Sequence, residues 1–259
     1  MQFSFYRLGL LIRKQWAERS RLYILMMAAI AGLMAVAFFI WGLTNQDHIW
    51  METANVFLFV GLFLGGTIMA AMTFSDLSQR TTGIYYLSVP ATHAEKLVCG
   101  ILYTQVFFNA AYLVIFFVLR SLAFAIIRLY PHITLEHMPF DQGMNEAYRY
   151  LTITYAAVQT LFLLGSVYFE RFAFVKTTVS GVLVIVCVVL FLVYVIGPII
   201  GRLHPVGEVG VFRIEEDNGS EYVYSLPMWV SQTLWFMTKF VWVPVFWTVA
   251  YFRLKEKEL

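Results

Sequence analysis

Charge is scarce in this chain. Only 13% of its residues are Asp, Glu, Lys or Arg, against roughly 25% in a soluble domain. A chain so poor in charge cannot cover a water-facing surface, so lipid is the expected solvent. Large net charge is missing as well. The balance is +2 and no block of Lys or Arg occurs, which argues against nucleic acid as a partner. The two cysteines, Cys99 and Cys187, both sit in apolar runs and do not make a disulfide framework. There is no Gly-x-x-x-x-Gly-Lys-Ser/Thr loop, so nucleotide phosphates cannot be cradled in that way. No His-Glu-x-x-His, Ser–His–Asp order or other catalytic signature is present. The spacing of His132, His137 and His204 is not diagnostic of a metal site. Internal repeats and low-complexity tracts are absent, and the whole chain, 1–259, reads as a single transmembrane domain.

What is present is apolar. Hydrophobic residues make up 60% of the chain, and the mean hydropathy is +0.72. Runs long enough to cross a bilayer, which needs about 20 apolar residues, fall at Leu22–Leu43, Val56–Phe74, Leu97–Leu119, Tyr148–Phe169, Val179–Ile200 and Met228–Phe252. Spanning strands would alternate every second residue. These runs do not, so the expected fold is an all-α polytopic membrane protein with six transmembrane helices. The first run has a long charged lead, and no small-x-small site follows "FFIWGL". It reads as a retained helix, not a cleaved leader.

Basic residues set the orientation. Arg7, Arg13, Lys14, Arg19, Arg21, Arg80, Lys96, Arg171, Lys176, Arg253, Lys255 and Lys257 fall on one side; Arg120, Arg128, Arg149, Arg202 and Arg213 fall on the other. The basic side is expected to be cytoplasmic, with both termini on it. Residues 1–21 place Phe5, Leu8, Ile12 and Trp16 on one face and Arg7, Lys14, Glu18 and Arg21 on the far side. That pattern suits an amphipathic helix in the interface plane, its basic face on anionic lipid, or an ordinary basic flank. In the 201–227 loop, "VFRIE" and "EYVYS" flank "EDNGS", which predicts a small external β-hairpin with an Asn-Gly turn. Asn218–Ser220 also matches a glycosylation sequon. Gly61, Gly65, Gly66 and Ala70 give the second run a small-residue packing face.

The segment 75–96 is the polar interruption on the basic side. Pro90 lacks an amide hydrogen and disfavours helical geometry at Val89. Thr92 followed by Glu95 fits a capping box, which starts the third helix near Thr92. Upstream, "SDLSQRTTGIYYLS" allows a short helical piece ending near Gly83.

Taken together, a basic first helix, six spans, inside termini, a polar segment between spans two and three and an external element between spans five and six resemble the ABC-2 class of ABC transporter permeases, the type V exporter arrangement. The wording of "GIYYLSVPATHAEKLVCGIL" is similar to that family's segment, in which Leu-x-x-Pro is followed by a hydroxyl, Glu-Lys and the third helix. The ending "YFRLKEKEL" is similar too. The resemblance implies that 75–96 is a coupling element docking into a groove of a separate ABC ATPase subunit, through Pro90, Thr92, His93, Glu95 and Lys96. Arg13 and Trp16 would belong to the connecting helix. The chain would bind no cofactor itself, ATP being used by the partner, and would pair with a second permease copy or a paralogue, in a bacterial inner membrane.

Among membrane-embedded polar residues, Lys239 stands out. A lysine at a helix centre costs roughly 2.5–3.5 kcal/mol on insertion scales. With Gln232 on the same face, it lines either a substrate path or a subunit seam, or it is held by helix carbonyls and polar neighbours. Asn109, Gln105 and Gln159 are amides that either hold helices together or meet substrate. An integral-membrane lipid-acting enzyme and a non-transporting structural or assembly subunit are the alternative readings. An enzyme would gather its charged and nucleophilic residues at one interface, and here they scatter.

Overall fold

The computed structural model describes residues 3–44, 48–78, 80–129, 134–136, 142–169, 171–191, 194, 203–205, 211–215, 221–225 and 227–257. Helix dominates. The chain runs α1 (Phe5–Thr44), β1 (His48–Trp50), α2 (Ala54–Thr73), α3 (Arg80–Leu87), α4 (His93–Ile127), β2 (Thr134–Glu136), α5 (Gln142–Tyr168), α6 (Ala173–Phe191), β3 (Leu203–Pro205), β4 (Val211–Glu215), β5 (Glu221–Ser225), α7 (Met228–Phe240) and α8 (Trp242–Glu256). Among the described residues, α1, α2, α4, α5 and α6 are long and apolar enough to cross a membrane. The chain is therefore an integral membrane protein in type.

The N-terminal stretch and the first apolar run, expected as two helices, form one helix of 40 residues. The junction "AERSRL" contains neither Gly nor Pro, so nothing interrupts the hydrogen-bond ladder. Such a helix is about 60 Å long, roughly twice the hydrocarbon core, so its basic third extends past the core unless it tilts strongly.

The last expected span is two helices, α7 and α8, which meet at Val241. Pro244 is the cause. It has no N–H for the Phe240 carbonyl, while Val241 N–H still reaches Met237 and Val245 N–H reaches Val241. The apolar run after span three continues α4 as far as Ile127, beyond the expected end at Leu119.

Two apolar clusters organise the packing. One joins α1, α2 and α4 through Met34, Phe38, Trp41, Leu62, Phe108 and Phe116. The other joins α2, α5 and α8 through Ala70, Phe74, Phe162, Leu163, Val167 and Leu254. The Gly-rich face of α2 does not press backbone to backbone. It receives rings: an added Cβ at Gly61 would overlap the Tyr112 hydroxyl, and one at Gly66 the Tyr155 hydroxyl. These tyrosines carry the polar seams. Tyr112 donates to the Phe57 and Leu58 carbonyls at 3.2 and 2.9 Å, and Tyr155 donates to Asn109 Oδ1 at 2.6 Å.

Inside α4, Leu102–Phe107 is π-helical, and the Phe108 N–H reaches back to the Tyr103 carbonyl. The wider turn admits a side chain from α5: Gln159 Nε2 donates to the Thr104 carbonyl at 2.8 Å. Nothing in the sequence announced this stretch.

At the end of the bundle away from α3, β1 pairs in parallel with β2, His48 opposite Thr134 and Trp50 opposite Glu136. β4 pairs antiparallel with β5, Val211 opposite Ser225 and Glu215 opposite Glu221, and β3 adds a strand along β4. The "EDNG" turn, the Asn218 sequon, His132 and His137 lie outside the described residues.

Candidate functional site

The polar interruption folds as helix, turn, helix. α3 runs to Leu87, four residues beyond the expected end at Gly83. It stops where Pro90 forces the preceding backbone out of helical geometry. The Ser88 N–H closes the last turn on the Ile84 carbonyl at 2.9 Å. Thr92 then caps α4: its hydroxyl accepts from Glu95 N–H at 3.2 Å, and Glu95 Oε2 accepts from Thr92 N–H at 2.8 Å. This is the reciprocal box that the Thr-x-x-Glu spacing predicts.

Glu95 does more than cap. Its Oε1 accepts from Ser4 N–H at 2.7 Å and from Arg7 Nε and Nη2 at 3.2 and 3.0 Å. The carboxylate is 0% exposed. A buried carboxylate needs such a full set of donors. One acid therefore fixes the start of α1 to the start of α4.

Further contacts extend the seam. Tyr103 donates to the Ile12 carbonyl at 2.7 Å, and Cys99 Sγ donates to Gln15 Oε1 at 3.1 Å. Arg19 donates to the Met72 and Thr73 carbonyls at 3.0 and 3.3 Å, filling the last turn of α2. A cation there also suits the helix dipole. α3 is held by two adjacent tyrosines. Lys14 of α1 lies 4.7 Å from the Tyr85 ring centroid, and Lys96 of α4 lies 5.7 Å from that of Tyr86.

The residues expected at a docking surface divide on this frame. Pro90 is exposed, Thr92 and His93 are half-buried, and the His93 ring stands edge-on to Tyr251 at 6.4 Å. Glu95 and Lys96 are buried inside the chain, so they act as fasteners beneath the surface and do not present themselves to a partner. Ile84 and Tyr85 are 64% and 65% exposed; sequence reasoning included Tyr85 in the polar segment but named neither as a contact. Two adjacent apolar residues on a short helix over water were the available signal.

Arg13 and Trp16 are exposed, on a different stripe of α1 from Lys14, Gln15 and Glu18. The stripe carrying Lys14, Gln15 and Glu18 faces α3 and α4 across a small cavity of about 30 Å³; Arg13 and Trp16 border a large groove against α4.

The candidates expected inside the membrane separate too. Lys239 is buried in the last turn of α7, its ammonium 4.4 Å from the Tyr150 ring centroid, while Gln232 is exposed. Asn109 is committed to its neighbours, donating to the Gln105 carbonyl at 2.9 Å and accepting from Tyr155. Asn109 and Gln159 thus join α4 to α5. Among the described residues no group of His, Cys, Asp or Glu is gathered as a metal site would require.

No family model, no curated protein and no solved structure matches the chain.

Proposed function

We propose that the chain is the membrane-spanning permease subunit of an ATP-driven ABC-type exporter, worked by a separate ATPase subunit. The observation that carries this reading is the Glu95 junction. It fastens the N-terminal helix to the turn at Thr92 and to the start of the third membrane helix at the basic end of the bundle, and α3 is tied to the same body through Tyr85 and Tyr86. A force applied to that body reaches two spanning helices at once, which is what a coupling element requires. On this segment Ile84, Tyr85 and Pro90 are exposed, apolar surface suited to a groove on a partner. ATP binding and hydrolysis on the partner would change the relative stability of two packings of the membrane helices.

In this reading α7 and α8 together make a sixth crossing, both termini and the Ile84–Pro90 segment face the cytoplasm, and the β3–β5 sheet lies outside. A second permease copy or a paralogue completes the pathway, and the natural setting is a bacterial inner membrane. ATP is the partner's cofactor.

The test is purification of tagged chain in mild detergent with identification of what accompanies it. An ABC ATPase is expected to co-purify. Ile84→Asp is expected to remove it while leaving the melting temperature unchanged. Purified chain that never carries an ATPase overturns the proposal, as does labelling of a cysteine at Tyr85 from outside the cell.

A further inference from the structure

α1 carries two faces at its basic end, and only one is used by the coupling body. The other opens on a groove of about 800 Å³ between α1 and α4. Its floor and walls are apolar, with Ala28 and Ala31 of α1 facing Phe107, Ala111 and Ile115 of α4. The small residues make it concave. The two tyrosine hydroxyls at the groove offer little to a polar ligand. That of Tyr23 accepts from Gln15 at 2.9 Å, and that of Tyr103 donates to the Ile12 carbonyl.

One charge lines the groove. Arg13 stands at its basic end, exposed, and makes no ion pair among the described residues. Trp16 lies one turn further on, 52% exposed. An exposed tryptophan beside a basic residue marks the headgroup level of a bilayer. From Arg13 to Ala31 the helix rises about 27 Å. A lipid of one leaflet spans about half of a 40–45 Å bilayer, so the groove is deep enough to take its tail in full. The volume is also in the range of ligand pockets, about 300–1,000 Å³.

We infer that this groove is a binding site for an anionic phospholipid, with the acyl chains along Ala28, Ala31 and Ala111 and the phosphate against Arg13. A tail alone would fill the apolar part. The isolated guanidinium at its mouth selects a net negative headgroup, because it supplies paired donors to phosphate and has no acid beside it to neutralise it. The site is independent of any transport role: it follows from the α1–α4 geometry alone and holds whether or not an ATPase docks on the Ile84–Pro90 segment.

The experiment is native mass spectrometry of the full chain in mild detergent, titrated with phosphatidylglycerol or phosphatidylcholine bearing identical tails. Phosphatidylglycerol is expected to bind about fivefold more tightly, the worth of one basic residue near an anionic headgroup. Arg13→Gln is expected to erase that preference and leave phosphatidylcholine binding as it was. Ala111→Trp fills the groove and is expected to weaken both lipids.

A second measurement uses the wild-type chain, so that it does not depend on the folding of Ala111→Trp. Phosphatidylglycerol with a diazirine in its tail is expected to label residues 24–31 and 107–115 in preference to α6. Equal binding of the two lipids by wild-type chain overturns the proposal, and so does labelling spread evenly over α6. If an Ala28→Cys chain cross-links efficiently to a second copy in membranes, a neighbouring protein occupies the groove and the proposal also fails.

Discussion

Arg7 and Glu95 are separated by 88 positions in sequence, yet Nη2 of one lies 3.0 Å from Oε1 of the other. The arginine side chain is about one-third exposed and the carboxylate is closed off from solvent. The pair is asymmetric in consequence. Arg7→Ala leaves a buried negative charge with only backbone donors, while Glu95→Gln removes the charge and keeps the shape. The expected order of melting temperatures in detergent is wild type, then Glu95→Gln, then Arg7→Ala, the last lower by several degrees. The double variant should recover part of the Arg7→Ala loss, since Glu95→Gln removes the buried charge that Arg7→Ala leaves unpaired.

The rings seated on α2 give a second expectation. Gly61→Ala places a methyl into the Tyr112 hydroxyl and should cost about 1–3 kcal/mol by overpacking. Tyr112→Phe alone should cost about 0.6 kcal/mol, the average for an interhelical hydrogen bond in a membrane. Combined, the two changes should destabilise less than their sum, because the atom that collides is the one removed. Reversible unfolding of the four species in mixed micelles supplies the cycle.

Gln159→Leu tests the amide seam. It removes the donor to the Thr104 carbonyl, and a cost of about 0.6 kcal/mol is again expected. The other end of that amide, Oε1, is buried without a hydrogen-bond partner among the described residues, so its loss should reduce the penalty further. A cost well above about 1.7 kcal/mol, the largest found for such bonds, would mean that the π-helical stretch depends on Gln159.

Pro244→Ala should close the ladder between α7 and α8. The new amide can donate to the Phe240 carbonyl, and the two helices should straighten into one. Spin labels at Trp229 and Phe252, both exposed, should then approach the separation of a straight helix, about 35 Å for 23 residues. A distance unchanged from the parent would place the cause of the break in packing against α5.

Sequence reading reached the parts of this fold that local chemistry decides. Five of the six expected apolar runs overlap helices of spanning length, Thr92 and Glu95 form their cap, Pro90 lies in the turn between α3 and α4, and Pro244 falls at the start of α8 where its missing amide breaks the ladder. What escaped was decided by distant contacts. Glu95 reads from its neighbours as a cap or a surface contact, and only the return of Arg7 and Ser4 shows it to be an interior fastener. Lys96 reads as part of a polar knuckle, but Tyr86 folds over it. The basic flank of α1 was expected to lie apart from the first span because composition changes at Arg21. Helix continuity depends on the absence of breakers, not on composition. Asn109 and Gln159 read from sequence as glue or ligand contacts, and only the fold shows which groups they bond across the α4–α5 seam.

The wide turns at Leu102–Phe107 accommodate one residue more than plain α-geometry would. Everything beyond Phe107 is thereby swung by about 100°, one residue's angular step. Asn109, Tyr112 and Phe116 meet their neighbours only in that swung setting, whereas Glu95 and Cys99 obey the earlier one. A single rod thus carries two phases: deleting one residue within Leu102–Phe107 would relax the stretch to plain α-helix and keep both halves' partners, whereas deleting one outside it would put the far half out of register.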